Sequence, residues 1–261
     1  MYRKFLIIGF IITFCLLTYG CNENHPLENQ IDYQSYTILN DTIYQTEVHI
    51  YKSNLAGPKV AIIGGIHGDE VAGWMVAENL LEKNDFLGEV LIIPRANILA
   101  TYLEERYPGI NNNGKYQGNT YSDLNRCFPG KVDGTISEQI AYIILQEIIE
   151  FQPSYIIDLH ESRRSYANSK PLIGDEVIYG NKKSALLALK IVEEYNDKYS
   201  LDNDIPFIVD SNAPEGSLNY YFGQHADAYV FTFETNRQLD LSKRIGQQKN
   251  LLNVFFELIW N

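Results

Sequence analysis

The sequence predicts a single α/β domain, a mostly parallel, twisted mixed sheet with helices on both faces. Three observations carry this. Short apolar runs such as Val60–Ile63, Val90–Ile93 and Tyr155–Leu159 have the length and composition of strands buried on both sides. Longer segments with helical spacing of apolar residues lie between them, and strand–helix alternation of this kind implies a largely parallel sheet. The chain has 261 residues, 45% of them hydrophobic, enough for one full core, and shows neither an internal repeat nor a second domain.

The N-terminus carries an address. Arg3 and Lys4 precede an apolar run from Phe5 to Leu17, and Gly20-Cys21 follows. A run of roughly 13 residues falls short of the roughly 20 needed to cross hydrocarbon, so residues 1–21 are expected to be an export signal. Cys21 behind a small residue resembles the lipidated cysteine of a bacterial lipoprotein. It predicts a membrane-anchored domain on the outer side of the cytoplasmic membrane; an uncleaved anchor and plain or periplasmic secretion are the alternatives. Residues 22–35, rich in Asn and Glu and containing Pro26, read as a tether, with the folded domain expected over 36–261. Of three cysteines only Cys127 falls in that domain, so no internal disulfide is available.

Tyr36–Leu39 and Thr46–Tyr51 flank Asn40-Asp41 and predict an edge hairpin. The strand Val60–Ile63 leads through Gly64-Gly65 into a helix from about Glu70 to Glu82, followed by the strand Val90–Ile93 and a long polar loop from Pro108 to Ser122. Ser137–Phe151 has helical period through Ile140, Ile144 and Ile148. Tyr155–Leu159, Pro206–Val209 and Tyr229–Phe233 are further expected strands, and Ser184–Tyr195 and Ser242–Ile259 further helices. The formal charge of −12 offers nothing to displace phosphate counterions, which excludes a nucleic-acid partner. The acidity is spread along the chain and reads as a solubility feature.

Four polar motifs stand at expected strand ends, where open sheets gather their working groups. In His67-Gly68-Asp69-Glu70, an imidazole and a carboxylate three residues apart at a helix entrance can face one point as zinc ligands. The same pattern also occurs as a solvated helix start, whose acids favour the dipole. Of five histidines, His25 lies in the tether, His49 in the hairpin and His225 late in the chain. His160 in Asp158-Leu159-His160 is therefore the natural third ligand, leaving a fourth position for water. Asp158, two residues away on the same strand face, is placed to orient it. Asn125-Arg126 offers an amide and a planar fork for a substrate carboxylate, although Arg126 also suits a structural ion pair. Glu234, emerging from Phe231-Thr232-Phe233, is placed to take a proton from water at a metal, or merely to cap the next turn.

Together the motifs resemble the carboxypeptidase A-like zinc peptidase clan. His-Gly-Asp-Glu, Asp-Leu-Asn-Arg-x-Phe-Pro-Gly, Asp-Leu-His and Phe-Thr-Phe-Glu follow in that order over roughly residues 58–235. The forms at His67–Glu70 and Asp123–Gly130 are most similar to the succinylglutamate desuccinylase/aspartoacylase branch. Pro214–Ser217 followed by Tyr220-Tyr221 is similar to bacterial murein peptide amidases. The resemblance implies a zinc carboxypeptidase-like fold and one zinc ion at His67, Glu70 and His160. It also implies carboxylate binding by Asn125 and Arg126, with Glu234 as general base and then acid. The clan's carbonyl-polarising arginine has no match just before Asn125, and Arg106, Lys115 and Arg163 are the candidates for that charge. Asp210 and Ser211 stand about where the peptidases carry a mobile tyrosine. The sequence ends one helix after Glu234, without the acylase branch's small C-terminal β-domain, so a more open cleft is expected.

The expected activity is hydrolysis of an amide next to a carboxylate, on a small peptide or acyl-amino-acid substrate with a free carboxylate. Export favours a carboxypeptidase or peptide amidase acting on stem peptides; the desuccinylase-like motifs favour an N-acyl amino acid deacylase. A binding lipoprotein that keeps the cleft without chemistry is the remaining alternative.

Overall fold

The computed structural model describes residues 28–107, 123–163, 174–200 and 205–260. The expected signal 1–21, residues 22–27 of the tether, and the loop from Pro108 to Ser122 lie outside the described residues. Among the described residues no helix is long and apolar enough to cross a membrane.

The chain opens with β1 (Ile31–Ile38) and β2 (Thr46–Ser53), the antiparallel hairpin expected around Asn40-Asp41. β1 starts inside the segment expected to be tether, because Ile31 to Ser35 pair with β2 in unbroken register from Ile31↔Ser53. Then come β3 (Lys59–Gly64), α1 (Val71–Asn79), β4 (Glu89–Ile93), α2 (Ile98–Leu103), α3 (Ile136–Phe151) and β5 (Tyr155–Ser162). β6 (Glu176–Tyr179), α4 (Lys182–Tyr199), β7 (Ile208–Asp210), α5 (Leu218–His225), β8 (Tyr229–Asn236) and α6 (Leu241–Trp260) complete it. α2, β6 and α5 are additions to the sequence expectation.

The eight strands form one mixed sheet in the order β1-β2-β4-β3-β5-β8-β6-β7. β4, β3, β5 and β8 run parallel, as do β6 and β7; the hairpin joins β4, and β6 joins β8, in the antiparallel sense. The period of two in each strand divides the core. Val60, Ile62, Ile157, Leu159, Phe231 and Phe233 face α1, α4 and α6, where Val76, Ile191 and Phe255 meet them. Ala61, Ile63, Ile156 and Val230 face α3 and α5, against Ile144 and Phe222. Each fully buried Ile or Phe contributes roughly 1.5–3 kcal/mol. α3 starts where it does because Thr135 and Glu138 form a reciprocal capping box.

β5 and β8 run further than their apolar runs, to Ser162 and Asn236. Their polar ends stay in the sheet because the two strands remain paired through His160↔Glu234 to Ser162↔Asn236. Alternation then puts Asp158, His160, Thr232 and Glu234 on the α3/α5 face, and Glu161 on the opposite one. His160 and Glu234 are therefore held by strand backbone rather than by loops.

Candidate functional site

The loop between β3 and α1 carries His67 and Glu70. It passes so close to α2 that a Cβ on Gly68 would stand 1.9 Å from the Ala100 carbonyl oxygen, so only glycine fits. The buried N–H of Ala72, in the first turn of α1 where helix donors lack intrahelical partners, donates to Glu161 Oε2 on β5 at 2.9 Å, and Arg244 Nη1 of α6 donates to Glu161 Oε1 at 2.6 Å. From α6, Gln248 Nε2 also donates to the His160 carbonyl at 2.7 Å. These bonds tie the loop that carries His67 and Glu70, and the end of β5, to the back of the sheet.

His67, Glu70 and His160 converge. All three are buried, and one ligand atom from each lies within 4.8 Å of the others. His67 Nδ1 is 2.8 Å from Glu70 Oε1, and His160 Nδ1 is 2.7 Å from Glu70 Oε2. The far nitrogens meet other carboxylates: His67 Nε2 is 2.9 Å from Asp123 Oδ1, and His160 Nε2 is 2.8 Å from Asp158 Oδ2. Glu70 also accepts from Arg106 Nη1 at 2.8 Å and from the Glu161 N–H at 3.0 Å.

This donor set fits one zinc ion. Two imidazole nitrogens and one carboxylate are the ligands of catalytic zinc, and the carboxylates on the far nitrogens fix which ring nitrogen faces the centre. Electrostatics agree. Burial would lower the His160 pKa, but Asp158 and Glu70 hold it well above the usual histidine range. Burial would raise Glu70, yet His67 and His160 hold it well below the usual carboxylate range. Burial would likewise raise Asp123, but its bond to His67 and the charge of Arg106 bring it down to about 2. A buried imidazole held between two carboxylates favours a positive charge, which a bound cation would supply in place of the proton.

Glu234 lies beside His160 in register on β8, on the same face. Its Oε2 is buried without a hydrogen-bond partner among the described residues. Burial pushes its carboxyl well above the usual range; His160 opposes this, and Glu70, Glu176 and Asp158 add to it. A cavity of about 660 Å³ opens over the group, lined among others by His67, Glu70, His160, Glu234, Asn125 and Arg126.

Asn125 and Arg126 stand in a short 3-10 turn, Leu124–Arg126, started by the Asp123 side chain accepting from the Asn125 N–H at 3.0 Å. Asn125 Oδ1 accepts from the Leu218 N–H at 3.3 Å, and Arg126 Nη1 donates to the Asn125 carbonyl at 2.6 Å. The Pro214–Ser217 turn packs against them. Gly216 has φ +78°, and a Cβ there would stand 2.6 Å from the Arg126 carbonyl oxygen. Of the three candidate cations, Arg106 reaches the cluster through Glu70. Arg163 lines the cavity but donates to Asp69 Oδ2 at 2.9 Å, an oxygen shared with Arg237 Nη1 at 2.7 Å. Lys115 lies outside the described residues. His49 is buried in β2 against the Tyr33 hydroxyl, and His225 ends α5.

Asp123, Glu161, Arg244 and Glu176 are site residues to which the sequence alone gives no role. Asp123 heads the motif that holds Asn125 and Arg126, and that position was its available signal. Glu161 and Arg244 are single charged residues that meet across 83 positions, and Glu176 has no hydrogen-bond partner among the described residues to mark it.

A family model of the succinylglutamate desuccinylase/aspartoacylase catalytic domain matches residues 56–254. N-alpha-acetyl-L-2,4-diaminobutyric acid deacetylase of Halomonas elongata is 32% identical over 112 residues, 42% of this chain and 30% of that protein. A succinylglutamate desuccinylase/aspartoacylase structure from Rhodobacter sphaeroides superposes with TM-score 0.63 and 18% identity, over 88% of this chain and 65% of that one. The mDAP-bound D,L-carboxypeptidase Csd4 of Helicobacter pylori superposes with TM-score 0.66 and 17% identity, over 78% and 51%. The structural likenesses establish a shared fold. The chain spans under a third of that curated relative and between about half and two thirds of these two structures.

Proposed function

The chain belongs to the succinylglutamate desuccinylase/aspartoacylase family, a family of hydrolases, and from that premise we propose that it is a zinc-dependent amidohydrolase cleaving an amide beside a free carboxylate. The observation that carries this is the convergence of His67, Glu70 and His160 beside Glu234, whose Oε2 has no hydrogen-bond partner among the described residues, all four lining one cavity.

His67 and His160 would hold the ion through Nδ1, and Glu70 through its carboxylate. When bound, zinc supplies a Lewis acid that polarises a carbonyl and brings the pKa of water toward neutrality. Glu234 takes the proton of the attacking water and hands it to the leaving nitrogen. Burial raises its affinity for protons, which suits the second half of that task; a divalent cation held nearby would favour the carboxylate needed for the first. Arg126, with the amide of Asn125, grips the substrate carboxylate and so fixes the scissile bond in the cavity. Arg106 is the cation we assign to the developing oxyanion, since its guanidinium is anchored on Glu70 at the cavity wall.

The substrate class we favour is an N-acyl amino acid, supported by the family model and the curated deacetylase. A short peptide is the second reading, supported by the order of charge, apolar run and Cys21 over residues 3–21, which would place the enzyme outside the cytoplasmic membrane beside cell-wall peptides. Assaying acetylated and succinylated amino acids alongside stem peptides separates the two. Glu234→Gln is expected to keep its zinc and lose at least about a hundredfold in kcat, the usual share of a general base. Turnover at the parent rate would remove Glu234 from the mechanism.

A further inference from the structure

The catalytic rung of the sheet continues one strand past the proposed base. Glu176 on β6 is the register partner of Glu234, as His160 is on the other side. The three side chains share one face, and Glu176 lies two strand spacings, about 10 Å, from His160. Glu176 is 0% exposed, and neither carboxyl oxygen has a hydrogen-bond partner among the described residues. It nevertheless lines the cavity, with Ile178, Thr232, Pro214, Asn212 and Asp210. Asp210 on β7 pairs with Ile178 and so stands on the same face.

A carboxyl group buried without a donor is costly, and a fold that only needed volume here would use an apolar residue. The same group becomes favourable when a ligand brings the missing donors and a positive charge. Arg126 and Arg106 line the same cavity, Arg106 bonded to Glu70, so the cavity offers cations for a substrate carboxylate as well as carboxyls beyond the base. We propose that Glu176, supported by Asp210, is a specificity-determining subsite that receives the side-chain ammonium of a diamino-acid substrate. The subsite rests on the amidohydrolase reading and names the amino acid that the reading leaves open. The amino acid whose carboxylate sits on Arg126 would reach across the rung with a short aminoalkyl side chain. Burial together with Asp210 and Asp175 pushes the Glu176 carboxyl up to about 8, so a proton covers the charge where no ligand cation does.

The test uses substrates matched except for the terminal amine: Nα-acetyl-2,4-diaminobutyrate against Nα-acetyl-2-aminobutyrate, and Nα-acetyl-lysine against Nα-acetyl-norleucine. kcat/KM is measured for the parent chain, Glu176→Gln, Glu176→Asp and Asp210→Asn. In parallel, calorimetry measures binding of the corresponding free amino acids. The parent is expected to prefer the cationic member of at least one pair by about 10- to 100-fold, the range of a charge-assisted bond. Glu176→Gln should collapse that ratio, Glu176→Asp should restore part of it, and Asp210→Asn should lower it. Asp210→Asn also supplies the answer if Glu176→Gln does not fold. A merely structural Glu176 would change both members of a pair alike and leave the ratio intact. An intact ratio in Glu176→Gln, or no cationic preference in the parent by either measurement, overturns the subsite. Preferential binding without turnover would sink the amidohydrolase reading and leave the subsite standing; turnover without preference would do the reverse.

Discussion

Glu176→Gln has a consequence for stability that can be worked from its surroundings alone. The carboxyl is fully buried on β6, with Asp175 beside it, Asp210 on β7 and Glu234 on β8, and its pKa rises from the ordinary 4.5 to about 8. Below pH 4.5 both folded and unfolded chains carry the proton, and nothing depends on pH. Between 4.5 and about 8 the unfolded chain gives it up while the folded chain keeps it, so unfolding becomes easier as pH rises. At about 1.36 kcal/mol per pH unit, the folded state loses about 5 kcal/mol over that window, and the loss levels off above it. Glutamine cannot titrate. The difference in unfolding free energy, Glu176→Gln minus parent, should therefore climb by about 5 kcal/mol from pH 4.5 to pH 9, whatever fixed cost the amide imposes. Urea unfolding of both proteins at unit pH steps, with metal removed by a chelator, measures it. A difference that stays flat within about 1 kcal/mol, or falls with pH, would refute the account of Glu176 as a buried, proton-covered acid.

Arg126→Met should raise KM about 10- to 100-fold for substrates with a free carboxylate and change little for their carboxamides, as steady-state kinetics on matched pairs would show. Arg244→Met strands Glu161 under the sheet, because Arg244 Nη1 is its 2.6 Å partner. Denaturant unfolding at pH 7 should show a loss of about 3–5 kcal/mol, and a loss below about 1 kcal/mol would mean that the pair is not a clasp. Asp158→Asn leaves His160 Nε2 without its carboxylate, and zinc affinity by competition with a chelator should fall about 10- to 100-fold.

Much of this architecture was legible from period and length. Val60–Ile63, Val90–Ile93 and Ser137–Phe151 sit where their patterns put them, because their faces are uniformly apolar and their ends are marked by Gly or a capping Thr. What stayed hidden was structure held by tertiary partners. β5 looks finished at Leu159, since His160, Glu161 and Ser162 have no reason to be extended on their own; pairing with β8 and the bonds from Ala72, Arg244 and Gln248 keep them in the sheet. β6 is four residues long and begins with a glutamate, so it carries no strand signal. α5 owes its start to Ser217, whose side chain accepts from the Tyr220 N–H, and its aromatic pair gave no clear helical face. At the site, residue types and order were enough to bring His67, Glu70, His160 and Glu234 together on paper. The acid beyond Glu234 emerged only from strand order and register, and the place of Asp123 behind His67 from a side-chain contact across 56 residues.

Zinc content is the most direct check on the central claim. Elemental analysis of the chain purified with zinc present and then dialysed should give one ion per chain, and His67→Ala and His160→Ala should each fall far below that. An unloaded parent chain, or a full complement in either variant, would contradict the three-residue centre from which the chemistry follows.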